Sequence, residues 1–160
     1  MAAQGYDSIT IDVQHGALDY SSALPMLQAM RASGVVPMAR VRWMEPGIII
    51  KVLDAGAYGV ICPMVNNARQ VVEFVSYMRY PPLGHGPTRV AFAAGADYGA
   101  EANKEMLAFA MIETAEGMAN LSSIAATPGL DGIYVGPADL TPRARARAAS
   151  PPASTVRSSR

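Results

Sequence analysis

Four ionisable side chains of complementary chemistry stand at the ends of short apolar runs in this 160-residue chain. His15 closes "IDVQH", Arg40 closes "VVPMAR", Glu113 closes "LAFAMIE" and Asp139 follows "GIYVGPA". Glu113 and Asp139 offer two hard carboxylate oxygens, a donor set for Mg²⁺, Mn²⁺ or a similar divalent ion with open positions. An ion held in this way chelates a 2-oxo acid through its keto and carboxylate oxygens and, as a Lewis acid, stabilises an enolate. Arg40 is suited to neutralise charge that develops on that oxygen. Histidine is the natural proton carrier near neutral pH, more so when a carboxylate orients it. Each residue alone has a plainer reading. A histidine after a strand is a turn residue, an arginine there is a solvated charge, and a glutamate before Thr114 favours the next helix through its dipole. The case for a site rests on the four occurring together.

What must position them is an alternation of strands and helices. Apolar or β-branched runs at Ser8–Val13, Val35–Val41, Tyr58–Cys62, Leu107–Ile112 and Gly132–Val135 read as strands. Helical spacing covers about Tyr20 to Ala32, Pro46 to the "DAGAYG" stretch, Asn67 to Met78, Tyr98 to Met106 and Ala115 to Ala125. Alternation of this kind predicts βαβ units and a parallel sheet, with strands apolar on both faces. The segment from Arg79 to Asp97 fits neither period and reads as a long loop with a short strand at Arg89–Ala93. The candidate residues then all fall at carboxyl ends of strands, where parallel α/β folds build their sites. Lys51 and Lys104 both lie in helical stretches, so no lysine stands at a strand end. That disfavours a Schiff-base aldolase and favours a metal-dependent one.

Composition narrows the classes further. A hydrophobic fraction of 51% with 16% charged residues predicts one soluble globular domain, and the longest apolar stretches are too short to span a bilayer. Nothing at the start reads as a secretion leader, and the single Cys62 permits no internal disulfide, so a cytoplasmic protein is expected. Cys62 itself reads as a small core residue. All 13 acidic and eight of the 13 basic residues lie in residues 1–140, a net charge of −5; the other five, all arginines, lie in residues 141–160. That Arg/Ala/Pro/Ser-rich tail is expected to be disordered. It lacks the aromatic residues that stack on bases, so no nucleic-acid partner is expected.

The stretches "IDVQHG", "ARVRW", "KVLDAGAYGVICPMV", "RYPPLG", "MIET" and "DGIYVGPADL" together resemble the HpcH/HpaI aldolase/citrate lyase family. These are metal-dependent class II pyruvate aldolases of the 4-hydroxy-2-oxoheptanedioate and 2-dehydro-3-deoxyglucarate type. The resemblance runs from about Gly5 to Leu140. It implies retro-aldol cleavage of a 4-hydroxy-2-oxo acid to pyruvate and an aldehyde, with Mg²⁺, Mn²⁺ or Co²⁺ as cofactor. His15 matches the general base for the substrate's 4-hydroxyl, and Asp54 the carboxylate that pairs with it. Arg40 matches the residue that stabilises the transition state, while Glu113 and Asp139 match the metal ligands. The backbone at Ala138, beside Asp139, matches a contact to the carboxylate end of the substrate. The implied fold is a (β/α)8 TIM barrel in a homo-oligomer, commonly a hexamer, whose neighbouring subunits help complete the sites.

The chain departs from that pattern in several places. Met111 stands where members often carry a substrate-contacting Gln, and the loop after "YPPLG" is shorter than usual. A complete barrel takes roughly 250 residues. The expected fold is therefore α/β, an incomplete TIM barrel with about five to six of the eight strands over residues 1–140, truncated at both ends. The tail over 141–160 reads as translation of a GC-rich gene in the wrong frame. Two other readings stand beside the aldolase: a lyase of the same superfamily acting on a CoA thioester such as citryl- or malyl-CoA, and an inactive truncated fragment.

Overall fold

The computed structural model describes residues 1–86 and 98–140. Five strands form one parallel sheet: β1 (Ser8–Asp12), β2 (Val36–Arg40), β3 (Gly59–Cys62), β4 (Leu107–Ile112) and β5 (Gly132–Val135). Helix α1 (Tyr20–Met30) joins β1 to β2, and α2 (Pro46–Asp54) joins β2 to β3. Helices α3 (Ala68–Met78) and α4 (Tyr98–Glu105) lie between β3 and β4; α5 (Ala115–Ala119) and α6 (Leu121–Ala125) lie between β4 and β5. The expected loop residues 87–97, including the expected strand Arg89–Ala93, and the tail 141–160 lie outside the described residues.

Strand order in the sheet equals strand order in the chain. Every crossover therefore steps in the same direction, and right-handed connections place the helices on one face. This is the winding of a barrel wall; a doubly wound sheet reverses direction and is covered on both faces. The α/β fold and the partial barrel expected from the sequence are what the structure has. The core divides accordingly. Ile11, Ala39, Val60, Cys62, Ala108, Ala110 and Ile112 pack with helix residues such as Leu27, Val52, Phe74 and Ile124. Phe74 is fully enclosed, worth about 2 kcal/mol relative to exposure. Met38, Ile61 and Met111, with Phe109 against them, form a second cluster that faces away from the helices.

That second face is packed by pairing large side chains with glycines on the next strand. A Cβ at Gly59 would lie 2.8 Å from Met38 Cε, and one at Gly132 would lie 2.7 Å from the Phe109 ring. At Gly132 the rigid ring leaves a side chain no room, whereas at Gly59 one would have to displace the flexible end of Met38.

Helix starts follow local chemistry. The Asp19 carboxylate accepts the Ser22 N–H at 3.0 Å, the Asn67 side chain accepts the Gln70 N–H at 3.0 Å, and Pro46 opens α2. The single helix expected over Ala115–Ala125 is two helices in the structure. Asn120 breaks it, at φ −99° and ψ 9°, and its Nδ2 donates to Asn66 O at 2.9 Å instead of facing solvent.

At the amino ends of β4 and β5 a buried arginine ties the connections together. Arg79, which exposes 7% of its surface, donates to the backbone oxygens of Met106 (2.6 Å), Gly129 (2.9 Å) and Asn103 (3.3 Å) and to Asp131 Oδ2 (3.0 Å). The same Asp131 oxygen accepts the Ala108 N–H at 2.7 Å, which fixes how β5 registers on β4.

Candidate active site at the carboxyl ends of the strands

Asp12 and Arg40 end adjacent strands as register partners. Both side chains therefore leave the sheet on the same face. Arg40 Nε donates to Asp12 Oδ1 at 2.9 Å and Nη2 donates to Oδ2, a two-pronged charge-assisted pair. Asp12 Oδ1 also accepts the Gln14 N–H at 3.0 Å, so one carboxylate holds both the arginine and the turn that carries His15. The Arg40 hydrogen bond holds the Asp12 carboxyl below its usual range, and Asp12 in turn raises the Arg40 guanidinium. Arg40 Nη1 remains 3.8 Å from Met111 Sδ.

A folded-state value below the unfolded one means that Asp12 contributes stability above the ordinary carboxylate range. That contribution is lost as pH falls through its lowered folded value. The Asp12 side chain is 38% exposed, so solvent screening keeps it small. An Asp12→Asn chain is expected to be about 1 kcal/mol less stable at pH 7 in urea unfolding, with the gap closing toward pH 3. A gap that does not narrow between pH 7 and pH 3 would show that the carboxylate's charge is not what matters.

Glu113 directly follows β4 and is 1% exposed. Its Oε1 accepts the Met64 N–H at 2.7 Å, while the buried Oε2 has no hydrogen-bond partner. Met64 makes that contact from a left-handed backbone with φ 58°, a conformation that costs a non-glycine residue about 1 kcal/mol. The loop around it is fastened from several sides. Asn66 Nδ2 donates to Met64 O at 3.1 Å, the Asn66 side chain hydrogen-bonds the Thr114 hydroxyl, and the Val65 N–H donates to Met111 O at 3.3 Å. Gly136 closes the other side. Its N–H donates to Ile112 O at 3.0 Å, and a Cβ there would lie 2.9 Å from Glu113 Cβ and 2.6 Å from Met111 Cε.

Residues 137–140 are helical and expose Ala138 and Asp139. Burial pushes the Glu113 carboxyl up; the neighbouring Asp139 carboxylate adds to this, while the Met64 N–H and Arg40 oppose it. A buried carboxylate with an unused oxygen beside a second carboxylate lacks one compensating positive charge, which fits a hard divalent cation. Among the described residues no three His, Cys, Asp or Glu side chains cluster as a metal cage. Glu113 and Asp139 would supply two ligands and leave further positions open. Cys62 is buried, and that burial pushes its thiol up to about 12, leaving it a core residue.

The structure thus brings Arg40, Met111, Glu113 and Asp139, with Ala138, to one rim. His15 is exposed in the turn after β1. Asp54 is half-buried at the last residue of α2, a helix that runs from the rim back about 13 Å toward the amino end of β3. Its charge raises the Tyr20 and Tyr80 phenols, after the larger effect of their burial. Three residues of the site were not singled out in the sequence: Asp12, Met64 and Gly136. Asp12 carried a signal, since strict alternation puts Ile9, Ile11 and Val13 on one face and Thr10 and Asp12 on the other. Strand ends are therefore not apolar on both faces, as the sequence reading had them. Met64 carried none, because nothing in its side chain announces a left-handed backbone.

The model of the HpcH/HpaI aldolase/citrate lyase family matches residues 1–153, extending past Leu140. The chain belongs to this family. A hydroxypyruvate/pyruvate aldolase from Rhizorhabdus wittichii is 40% identical over 143 residues, covering 88% of this chain and 57% of the relative. A 5-keto-4-deoxy-D-glucarate aldolase from Escherichia coli is 38% identical over 141 residues, covering 85% and 55%. The chain thus spans little more than half the length of these relatives. Among solved structures, an HpcH/HpaI aldolase/citrate lyase family protein from Burkholderia cenocepacia superposes with a TM-score of 0.82 at 32% identity, covering 89% of this chain and 60% of that one. Citrate synthase SbnG superposes with a TM-score of 0.78 at 35% identity, covering 90% and 57%. No helix among the described residues is long and apolar enough to cross a membrane.

Proposed function

We propose that this HpcH/HpaI chain belongs to a class II aldolase that cleaves a 4-hydroxy-2-oxo acid to pyruvate and an aldehyde. The observation that carries the reading is the buried, half-used Glu113 carboxylate beside Asp139, on the rim that also presents Arg40. The names of the curated relatives, a hydroxypyruvate/pyruvate aldolase and a 5-keto-4-deoxy-D-glucarate aldolase, support it. Glu113 and Asp139 would hold the divalent cation, Mg²⁺, Mn²⁺ or Co²⁺, which when bound polarises the 2-oxo group as a Lewis acid.

The remaining chemistry falls to the chain's own groups. Arg40, fixed in orientation by Asp12, neutralises negative charge that grows on the 2-oxo oxygen. His15 takes the proton from the 4-hydroxyl. As the aldehyde carbonyl forms, the C3–C4 bond breaks and its electron pair stays with the pyruvate half, where C3 is then protonated. Asp54 is proposed as the carboxylate that pairs with His15; because α2 carries it away from the rim within one chain, the pairing is proposed between neighbouring copies. The Ala138 backbone is proposed to contact the substrate's carboxylate end, and Met111 to line the site with its thioether. A cytoplasmic homo-oligomer, with neighbouring copies completing the sites, goes with this reading.

The test is a coupled assay for pyruvate release on the 160-residue chain, with and without Mn²⁺. His15→Ala is expected to lower kcat by about 10²- to 10⁴-fold while Mn²⁺ binding is unchanged. Pyruvate release that ignores the metal or His15 would overturn the proposal. The similarity to a citrate synthase favours one second reading, cleavage of a CoA thioester such as citryl- or malyl-CoA. Thioester cleavage without pyruvate would identify it.

A further inference from the structure

Nothing in the proposed chemistry requires a strained backbone in the loop after β3, yet Met64 is held at φ 58°. Glycine or asparagine adopts this conformation readily, whereas methionine does so at a cost and only where the surroundings impose it. The surroundings here do impose it. Asn66 fastens the Met64 carbonyl, and Asn66 is in turn fastened by the Thr114 hydroxyl, by Asn120 Nδ2 at 2.9 Å on its carbonyl and by Gln70 Oε1 at 2.7 Å on its N–H. All this converges on one contact at the site, the Met64 N–H to Glu113 Oε1 at 2.7 Å.

We propose that Met64 is a positioning residue, whose left-handed backbone turns its N–H onto Oε1 of Glu113 and so leaves Oε2 free for a divalent cation. The proposal rests on the reading of Glu113 as a cation ligand. Gly136 complements the contact from the other side, because its missing side chain leaves the carboxylate its room. What matters at position 64 is the backbone and not the thioether. Residues that tolerate a left-handed backbone therefore preserve the seat, and β-branched residues, which avoid it, spoil the seat.

The test titrates Mn²⁺ into the full chain and reads free Mn²⁺ by electron paramagnetic resonance, which needs no turnover. Met64→Gly is expected to bind within about threefold of wild type, and Met64→Val about 10- to 100-fold more weakly, as for other groups that orient metal ligands. Should Met64→Val fail to fold, Asn66→Ala, which removes the fastener, is expected to weaken Mn²⁺ binding. Adding Met64→Gly to it restores binding, because glycine adopts the conformation unaided. Loss of binding in Met64→Gly, or none in either Met64→Val or Asn66→Ala, overturns the role of the backbone. A wild-type chain that binds no Mn²⁺, or binds it equally after Glu113→Gln, overturns the ligand reading itself, a different result from those two.

Discussion

A Glu113→Gln chain is expected to bind Mn²⁺ about 100-fold or more weakly than wild type and yet, free of metal, to be more stable at pH 7. Both effects come from the same buried carboxyl. Burial and the nearby Asp139 push it up, so the fold prefers its protonated form. With the folded value above the ordinary one, the associated stability is present below the ordinary glutamate range and is lost as pH rises through the raised value. At neutral pH the metal-free protein bears the cost of a buried charge with an unsatisfied oxygen. Glutamine keeps the oxygen that Met64 uses and offers an NH₂ where Oε2 stood, beside the acceptor Asp139. A gain of about 1 kcal/mol follows, read from urea unfolding at pH 7 and vanishing at pH 4. A Gln variant that is less stable than wild type at pH 7 would show that the carboxylate is already compensated, and the site would then have no need of a cation.

The largest loss of stability is expected at the opposite end of the sheet, in Arg79→Met. The guanidinium serves three backbone oxygens and the Asp131 carboxylate. Methionine fills much of the volume but leaves those acceptors unserved and Asp131 without its counter-charge. Asp131 is partly exposed and water can serve it, so the cost falls on the three backbone oxygens left without a charged donor, about 3 kcal/mol in all, which for a chain of this length lowers Tm by about 10 °C. Arg79→Lys keeps the charge without the forked geometry and should recover only part of the loss. A shift of less than about 2 °C would mean that water replaces the guanidinium. The effect reaches the active site through β5. Asp131 registers β5 on β4, and the same strand leads into Gly136 and Asp139. Arg79→Met should therefore also weaken Mn²⁺ binding, although it touches no ligand.

Much of this was legible in the sequence because it depends on local pattern. Strands β1 to β5 coincide with apolar runs, and helix starts at Asp19, Pro46 and Asn67 follow capping chemistry that a single residue announces. The positions of Arg40, Glu113 and Asp139 at strand ends follow from those runs. What stayed hidden depends on partners distant in the chain. The break at Asn120 exists because its amide is drawn to Asn66, 54 residues earlier. The role of Asp12 appears only when β1 is laid against β2 and Arg40 becomes its register partner. The backbone of Met64 is set by a net of side chains from α3, from Thr114 and from the segment between α5 and α6. None of these is encoded by the neighbours of the residue it controls.

The strand order described above also sets a timetable for synthesis. Each strand pairs with the one translated just before it, so the wall of the barrel is laid down from one edge as the chain leaves the ribosome. The arginine and its aspartate partner are available once residue 40 has emerged. The proposed cation seat waits for Asp139. In a nascent polypeptide the proposed charge-neutralising Arg40 and proton carrier His15 therefore emerge well before the proposed cation seat, which is incomplete until residue 139 has been added.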